Sequence, residues 1–254
     1  MENLEVEHDG ATRLQIHRLR SSTLREVRLT NIELSPSALE DLSKSISLRA
    51  LILRRCEIRA ALKLPIETTL NAIRLDGCTG IGVQSCAAFP CKLLSLDELE
   101  LTKPQVMRLL NSNGLQMLSL QSCKLKGEST GISEPWIRDL SELYLDVSDA
   151  LFPDDFLTEI LSRPRIIALD LSGVSLSSLT IENLVTANAD TLNVLELGDA
   201  QFGSDWQQAV LKMVKLRHLV SNKAVNQRFL VPDVRVGIHP WRENSQLWTD
   251  GTWR

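Results

Sequence analysis

The strongest constraint on the fold of this 254-residue chain is a spacing of apolar residues that recurs nine times. Each unit is apolar at positions 1, 4 and 6, often has Cys or a small residue at position 9, and is apolar again at position 11. The first clear unit consists of Leu24, Val27, Leu29, Ile32 and Leu34. Successive units begin at residues 24, 48, 70, 96, 115, 140, 166, 192 and 216, which gives steps of 24, 22, 26, 19, 25, 26, 26 and 24 residues. A period in this range predicts a chain of stacked structural repeats.

The spacing within a unit predicts a short strand followed by a return segment. Positions 4 and 6 lie two residues apart, so their side chains point to the same face of a strand, which we expect to be the core face. Several returns have helical character: Ser35 and Pro36 form a capped start for a helix that reaches Leu42. Similar helical stretches are 154–161, 180–185 and 205–211. We therefore expect one parallel strand per unit, joined by helical or irregular returns.

This pattern resembles the leucine-rich-repeat family over roughly Leu24 to Leu219. The steps near 24–26 residues and the helical returns are similar to the cysteine-containing and ribonuclease-inhibitor-like subtypes. The resemblance implies an α/β leucine-rich-repeat solenoid, with a curved parallel sheet inside and helical or irregular returns outside. It also implies that Cys56, Cys78 and Cys123, at position 9, bond backbone groups in the turn.

The repeats divide the chain into three parts. Residues 1–23 form an N-terminal cap in which Leu14, Ile16 and Leu19 make a capping strand, because a solenoid must cover its terminal repeats. Residues 24–219 form the solenoid of about nine units, and 220–254 form a C-terminal cap with a tryptophan-bearing tail. Trp241 and Trp248 in that tail either fold back onto the cap or bind a partner, since Trp is favoured as an interface anchor.

Composition narrows the class of protein. The formal net charge of −4 disfavours a general nucleic-acid binder. No apolar run approaches the roughly 18 residues that a membrane-spanning helix needs, and the acidic start does not resemble a secretory signal. The five cysteines are odd in number and form no Cys-x-x-Cys pair, which favours reduced thiols. We expect a cytoplasmic or nuclear protein that is not secreted and binds no membrane.

The chain offers no arrangement typical of catalysis. The four histidines are scattered outside any metal-binding spacing, and neither a phosphate-binding loop nor a nucleophile elbow is present. Cys86 and Cys91 are expected to pack in a loop. We therefore expect no enzymatic activity, no catalytic residue, no metal and no cofactor.

Positions 3 and 5 of each unit are expected to line the concave surface. The basic side chains there and beside it fall in the first three units and the acidic ones in the last three, which makes the surface bipolar. Solubility alone is one explanation, although mixed signs are the usual arrangement for it. A bipolar groove would fix the register of a partner with the opposite order of charges. The candidate contact residues are Arg28, Arg54, Arg55, Arg74, Tyr144, Asp146, Asp170 and Glu196.

The expected function is an intracellular scaffold or adaptor that holds a partner protein on the concave face, as a subunit of a larger complex. A first alternative is the substrate-recognition subunit of a ubiquitin ligase without its own F-box. F-box leucine-rich-repeat proteins carry an F-box before the repeats, but only 23 residues precede Leu24 here, so this role would need another link to the ligase. A second alternative is a regulator of an enzyme or GTPase. RNA binding at the basic N-terminal repeats stays open as a third, opposed by the acidic end.

Overall fold

The computed structural model describes residues 3–10, 12–19, 23–59, 70–80, 91–112, 114–127, 136, 140–203, 206–221 and 235–236. The chain forms two compact units: the first comprises Met1–Leu99 and Ser245–Arg254, and the second comprises Glu100–Asn244. Trp241 and Trp248 lie outside the described residues, so both predictions for the tail stay open.

The first unit is built on a parallel sheet with one strand from each repeat. The strands of this sheet, in spatial order, are β1 (Asn3–Glu7), β3 (Glu26–Thr30), β5 (Ala50–Arg54), β7 (Ala72–Asp76) and β8 (Leu93–Ser95). A second parallel sheet follows the turns after these strands and contains β2 (Leu14–Ile16), β4 (Ile32–Leu34) and β6 (Glu57–Ile58). One return is helical, α1 (Pro36–Ser43), and it begins where Ser35 caps the backbone N–H of Ala38.

The second unit repeats this plan with more helix. Its main strands are β10 (Met117–Ser119), β12 (Leu143–Asp146), β13 (Ile166–Asp170), β15 (Val194–Gly198), β17 (His218–Ser221) and β18 (Arg235–Val236). Two pairs of short strands follow the turns, β9 (Glu100–Leu101) with β11 (Lys124–Leu125), and β14 (Ser175–Leu176) with β16 (Gln201–Phe202). The helical returns are α2 (Lys103–Leu110), α3 (Asp154–Leu161), α4 (Ser178–Asn188) and α5 (Trp206–Val210). None of these helices, nor α1, is both long and apolar enough to cross a membrane.

The leucine spacing predicts this architecture correctly. Val27 and Leu29 at positions 4 and 6 are fully buried, as are Leu51 and Leu53 in the next repeat. Each buried Leu or Val contributes about 1.5–3 kcal/mol relative to an exposed side chain. The α/β leucine-rich-repeat fold and the core face of the strands are therefore confirmed.

A residue in the left-handed conformation stands at position 8, directly after the strand, in seven consecutive repeats. Its φ lies between 52° and 73° at Asn31, Arg55, Gly77, Glu98, Ser122, Asp149 and Gly173. A positive φ turns the chain sharply out of the strand and toward the return segment. Because this turn is common to the repeats, it marks their true register independently of the apolar pattern.

That register corrects the predicted position of the fourth repeat, which the sequence pattern starts at residue 96. Leu99 and Leu101 were expected at positions 4 and 6, but Ile73 pairs with Leu94, so the strand positions belong to Leu94 and Leu96. The two Leu-x-Leu pairs have the same spacing, and a strand period of two does not distinguish them. Leu99 and Leu101 instead occupy positions 9 and 11 after the turn at Glu98.

The corrected fourth unit begins at Cys91, which is buried at position 1. The steps around it become 21 and 24 residues instead of 26 and 19, which removes the largest irregularity of the series. The sequence pattern placed Pro104 and Val106 at positions 9 and 11 of this repeat, but both lie in helix α2.

The register of the sixth repeat also differs from the predicted one, by two residues. Leu145 pairs with Leu118 on one side and Leu169 on the other, so it occupies position 4 rather than position 6. Apolar residues alternate through Leu143, Leu145 and Val147, which again leaves the register open in the sequence. The shift moves Asp146 to position 5 and Tyr144 to position 3.

The N-terminal segment contributes more than a cap. Leu14–Ile16 forms a strand as expected, but that strand pairs with β4 after the turns, and the partner of β3 in the main sheet is Asn3–Glu7. This strand was missed because it has only two apolar residues, Leu4 and Val6, among acidic ones. Leu19 is buried as expected.

Replacing Gly80 by alanine is expected to destabilise the protein by about 2–3 kcal/mol. Gly80 has φ +77°, and a Cβ there would lie 2.3 Å from the backbone oxygen of Ile58, which cannot move without breaking the repeat. Gly114 is the control, because it also has a positive φ, +92°, but no atom lies within 4 Å of its Cβ position. Urea unfolding should show a clearly smaller loss for Gly114→Ala; equal losses would remove the steric explanation.

Candidate protein-binding face

The candidate site is the sheet face opposite the core, formed by side chains at positions 3, 5 and 7 and called the strand face below. These side chains alternate with the core leucines along each strand. At position 5 the first unit presents Glu5, Arg28, Ile52, Arg74 and Ser95, and the second unit presents Ser119, Asp146, Asp170, Glu196 and Val220. Ile52, Ser95, Ser119 and Glu196 are buried, and the described others range from half-buried to exposed.

In the first unit, the arginines of the strand face are held in ion pairs within the chain. Arg28 Nε donates to Glu26 at 2.6 Å. Arg54 lies 3.4 Å from Asp76, and Arg74 binds the same carboxylate and approaches Asp97 at 3.7 Å. Half-exposed pairs of this kind add little to stability, but they leave less free positive charge for a partner.

The sequence predicts a basic surface over the first three repeats, and this prediction is wrong because carboxylates share that surface with the arginines. Strand β1 places Glu5 beside Arg28 and Glu7 beside Thr30, and these carboxylates join Glu26 and the two aspartates at position 7 on the same face. The first unit's strand face is mixed in charge. Arg55 lies in the turn after β5, at φ +52°, with its side chain exposed beside the sheet rather than on the strand.

Asp76 illustrates the electrostatics of this mixed face. Burial raises the pKa of Asp76, the charge of Arg74 opposes that shift, and the like charge of Asp97 adds to it. Ser95 Oγ lies 3.2 Å from Asp76 and 2.7 Å from Asp97, and its single hydroxyl hydrogen donates to Asp97 over the shorter distance. This cluster is internally satisfied by its arginine and serine.

In the second unit, three carboxylates line up across neighbouring strands, and we call them the carboxylate ladder: Asp146, Asp170 and Glu196. The parallel register pairs Asp146 with Asp170 and Asp170 with Glu196. Neighbouring strands lie about 4.8 Å apart, so each carboxylate faces a like charge at short range.

Serines two residues further along hold the ladder in place. The backbone N–H and hydroxyl of Ser148 donate to Asp146 at 2.9 and 2.7 Å, and the N–H of Ser172 donates to Asp170 at 2.9 Å. Ser119 adds a bond to Asp146 from the preceding strand. The repeated Asp-x-Ser sequence was a signal for these positioning residues that the apolar pattern did not use.

The central residue of the ladder, Asp170, has a raised pKa. Burial raises the pKa of Asp170 to about 7, the negative charge of Asp146 adds to the shift, hydrogen bonds from Ser172 oppose it, and Glu196 adds a smaller repulsion. Near neutral pH this face therefore holds negative charge against mutual repulsion. A cationic group placed over it would relieve that repulsion.

Tyr144 lies on the same face as the ladder. Its register with Met117 and Ala168 places it at position 3, two residues from Asp146. The ring is half-buried, and burial followed by the charge of Glu142 raises the pKa of its hydroxyl. Tyr144 thus offers an apolar ring with a polar tip beside the carboxylates, a combination favoured at protein interfaces.

The structure brings together one group of the predicted contact residues, Tyr144, Asp146, Asp170 and Glu196, in the second unit. Arg28, Arg54 and Arg74 form a separate, ion-paired group in the first unit. Among the described residues, no three His, Cys, Asp or Glu side chains are arranged to hold a metal ion.

Comparison with known proteins gives no family assignment. No family model matches the sequence, and no curated protein matches it. The chain is similar to a solved structure described as the crystal structure of a TLR13–ssRNA13 complex, with 13% sequence identity and a TM-score of 0.44. The match covers 79% of this chain and 36% of that chain, so this chain spans about a third of that chain's length. A match at this level identifies neither a family nor a function.

Proposed function

We propose that this chain is a non-enzymatic protein-binding module, an adaptor or scaffold subunit, whose second unit binds a partner segment rich in Lys and Arg. The observation that supports the proposal is the carboxylate ladder on the strand face, with Tyr144 beside it. The repulsion within the ladder is a cost in the free protein, and a cationic partner would remove it. Complementary charge of this kind chiefly gives specificity and fast association.

Two further observations support the proposal. Arg28, Arg54 and Arg74 on the first unit's strand face are paired with carboxylates, which weakens the case for RNA as the ligand. Four cysteines in the described part of the chain are buried thiols outside disulfides, which supports a reducing compartment such as the cytoplasm or nucleus. We also propose that the chain is of the cysteine-containing leucine-rich-repeat type, because it resembles those subtypes at position 9.

Affinity capture with the wild-type chain and with Asp146→Asn/Asp170→Asn tests the proposal. We expect the variant to retain the specific partners at least tenfold less than the wild type, because two of the three ladder carboxylates become neutral amides of similar volume. A matched control is Asp155→Asn/Glu182→Gln, which removes two exposed carboxylates from α3 and α4. This control should bind as the wild type does.

Two outcomes would contradict the proposal. One is a set of captured proteins that the ladder variant and the wild type retain equally. The other is specific retention of RNA by the folded chain. An Arg54→Glu/Arg74→Glu variant should reduce capture less than the ladder variant does, since those arginines already have partners in the chain.

A further inference from the structure

Two cysteines of the first unit occupy the same position in consecutive repeats. Cys56 and Cys78 both stand at position 9, and their thiols donate to the backbone oxygens of Leu29 and Leu53, each at 3.3 Å. They are 0% and 6% exposed. Each thiol therefore has a fixed direction inside the turn that follows its strand.

The backbone register places these two residues side by side. Glu57 and Thr79, which follow them directly, form a parallel bridge, and the N–H of Thr79 donates to the carbonyl of Cys56 at 2.9 Å. Neighbouring parallel chains lie about 4.8 Å apart, which is inside the Cα separation of about 4.4–6.8 Å that a disulfide requires. The register therefore gives the two residues a backbone spacing within the range that a disulfide allows.

The two thiols influence each other's ionisation. Interaction with the Cys78 thiol lowers the pKa of Cys56, with burial opposing the shift, and the same interaction together with burial raises the pKa of Cys78. Of the two, Cys56 therefore has the greater thiolate character, which is the form that attacks a disulfide.

We infer that Cys56 and Cys78 form a latent oxidation site, at which a small-molecule disulfide converts the two thiols into a bond linking consecutive repeats. The Cys56 thiolate attacks one sulfur of the reagent, which forms a mixed disulfide at Cys56 and releases one thiol. Cys78 then loses its proton, attacks Cys56 Sγ and releases the second thiol. Two protein thiols are oxidised, and one reagent disulfide is reduced to two thiols.

Burial sets the rate of this reaction. Because both sulfurs are enclosed in the native repeat, the reagent must wait for local opening of the turn, so oxidation of the folded protein is slow. Cys123 is a natural control, since it is equally buried at position 9, but the flanking repeats have Leu99 and Ala150 at that position. It has a comparable environment and no cysteine at the matching position of either neighbouring repeat.

The test is to incubate the folded full-length chain with mixtures of oxidised and reduced glutathione, block free thiols, and map disulfides by peptide mass spectrometry. We expect the Cys56–Cys78 link to be at least tenfold more abundant than any other pair, with Cys123 blocked as a thiol. In Cys56→Ser and Cys78→Ser the link disappears without a substitute pair. In urea the preference should vanish, because it depends on the folded register.

Three results would overturn the inference. The first is that Cys56 and Cys78 remain thiols when Cys123 has reacted. The second is that glutathione adducts accumulate on Cys56 without the intrachain link. The third is that another pairing, such as one with Cys86 or Cys91, predominates in the folded chain.

Discussion

Replacing Arg163 by methionine is expected to destabilise the protein by about 3–5 kcal/mol. Arg163 is fully buried, and its guanidinium donates to the carbonyl oxygens of Leu110, Ser141 and Pro164 at 2.9, 3.1 and 2.8 Å. It thereby satisfies the ends of return segments from separate repeats. Methionine fills similar volume but leaves these acceptors without a donor, and each buried unsatisfied group costs about 1–3 kcal/mol.

Among the described residues, Arg163 is held by hydrogen bonds to backbone carbonyls, and none of the ion pairs found there involves it. Burial lowers the pKa of Arg163 to about 10, and the nearby charge of Arg165 adds to the shift. Asn188 supports the same region, because its side chain donates to the carbonyls of Leu161 and Arg163. The planar fork reaches several acceptors at once, so we expect lysine at this position to recover only part of the loss.

Urea unfolding of Arg163→Met, Arg163→Lys and Arg165→Met measures this effect. Arg165 is the matched control: it also donates to a carbonyl, that of Leu140 at 2.7 Å, but it is exposed. Its replacement should cost about 1 kcal/mol or less. If Arg163→Met lost no more stability than Arg165→Met, the buried fork would not be the anchor of these returns.

The Asp170→Asn variant is expected to be more stable than the wild type at pH 8 by about 2–4 kcal/mol and equally stable near pH 4. The pKa of Asp170 is raised from 3.8 to about 7 in the folded protein, by burial first and then by Asp146. Between those two values the folded chain keeps a proton that the unfolded chain has lost. Wild-type stability from this group is therefore greatest below about pH 4 and declines as pH rises through 7.

Urea unfolding of both proteins at intervals from pH 4 to pH 8 gives the difference directly, so the titration of other carboxylates cancels. The asparagine oxygen can still accept the N–H of Ser172, which keeps the local geometry. Asp155→Asn, an exposed change on α3, should show no such pH-dependent gain. A constant difference between Asp170→Asn and the wild type over this range would contradict the raised pKa of Asp170.

The features that the sequence predicts correctly are those in which one interaction outweighs the others. The Leu-x-Leu pairs identify the core face because burial of leucine outweighs other terms, and Ser35 with Pro36 marks the start of α1. The predicted backbone bonding is confirmed for Cys56 and Cys78. These features depend on residues close together in the chain.

The sequence does not determine the strand register where two registers satisfy the same apolar pattern. In the units around Leu94 and Leu145, apolar residues alternate beyond a single strand, and only pairing with neighbouring strands selects the register. The error moved Asp146 off position 5 and hid the ladder. Arg163 could not be foreseen either, since its acceptor on Leu110 lies 53 residues away.

Carboxylate labelling of the protein with and without its captured partner determines whether the second unit's strand face is the binding surface. We expect the partner to protect Asp146 and Asp170 while the exposed carboxylates of Asp155 and Glu182, on helices α3 and α4, react as before. Protection of the helix carboxylates with unchanged labelling of Asp146 and Asp170 would contradict it.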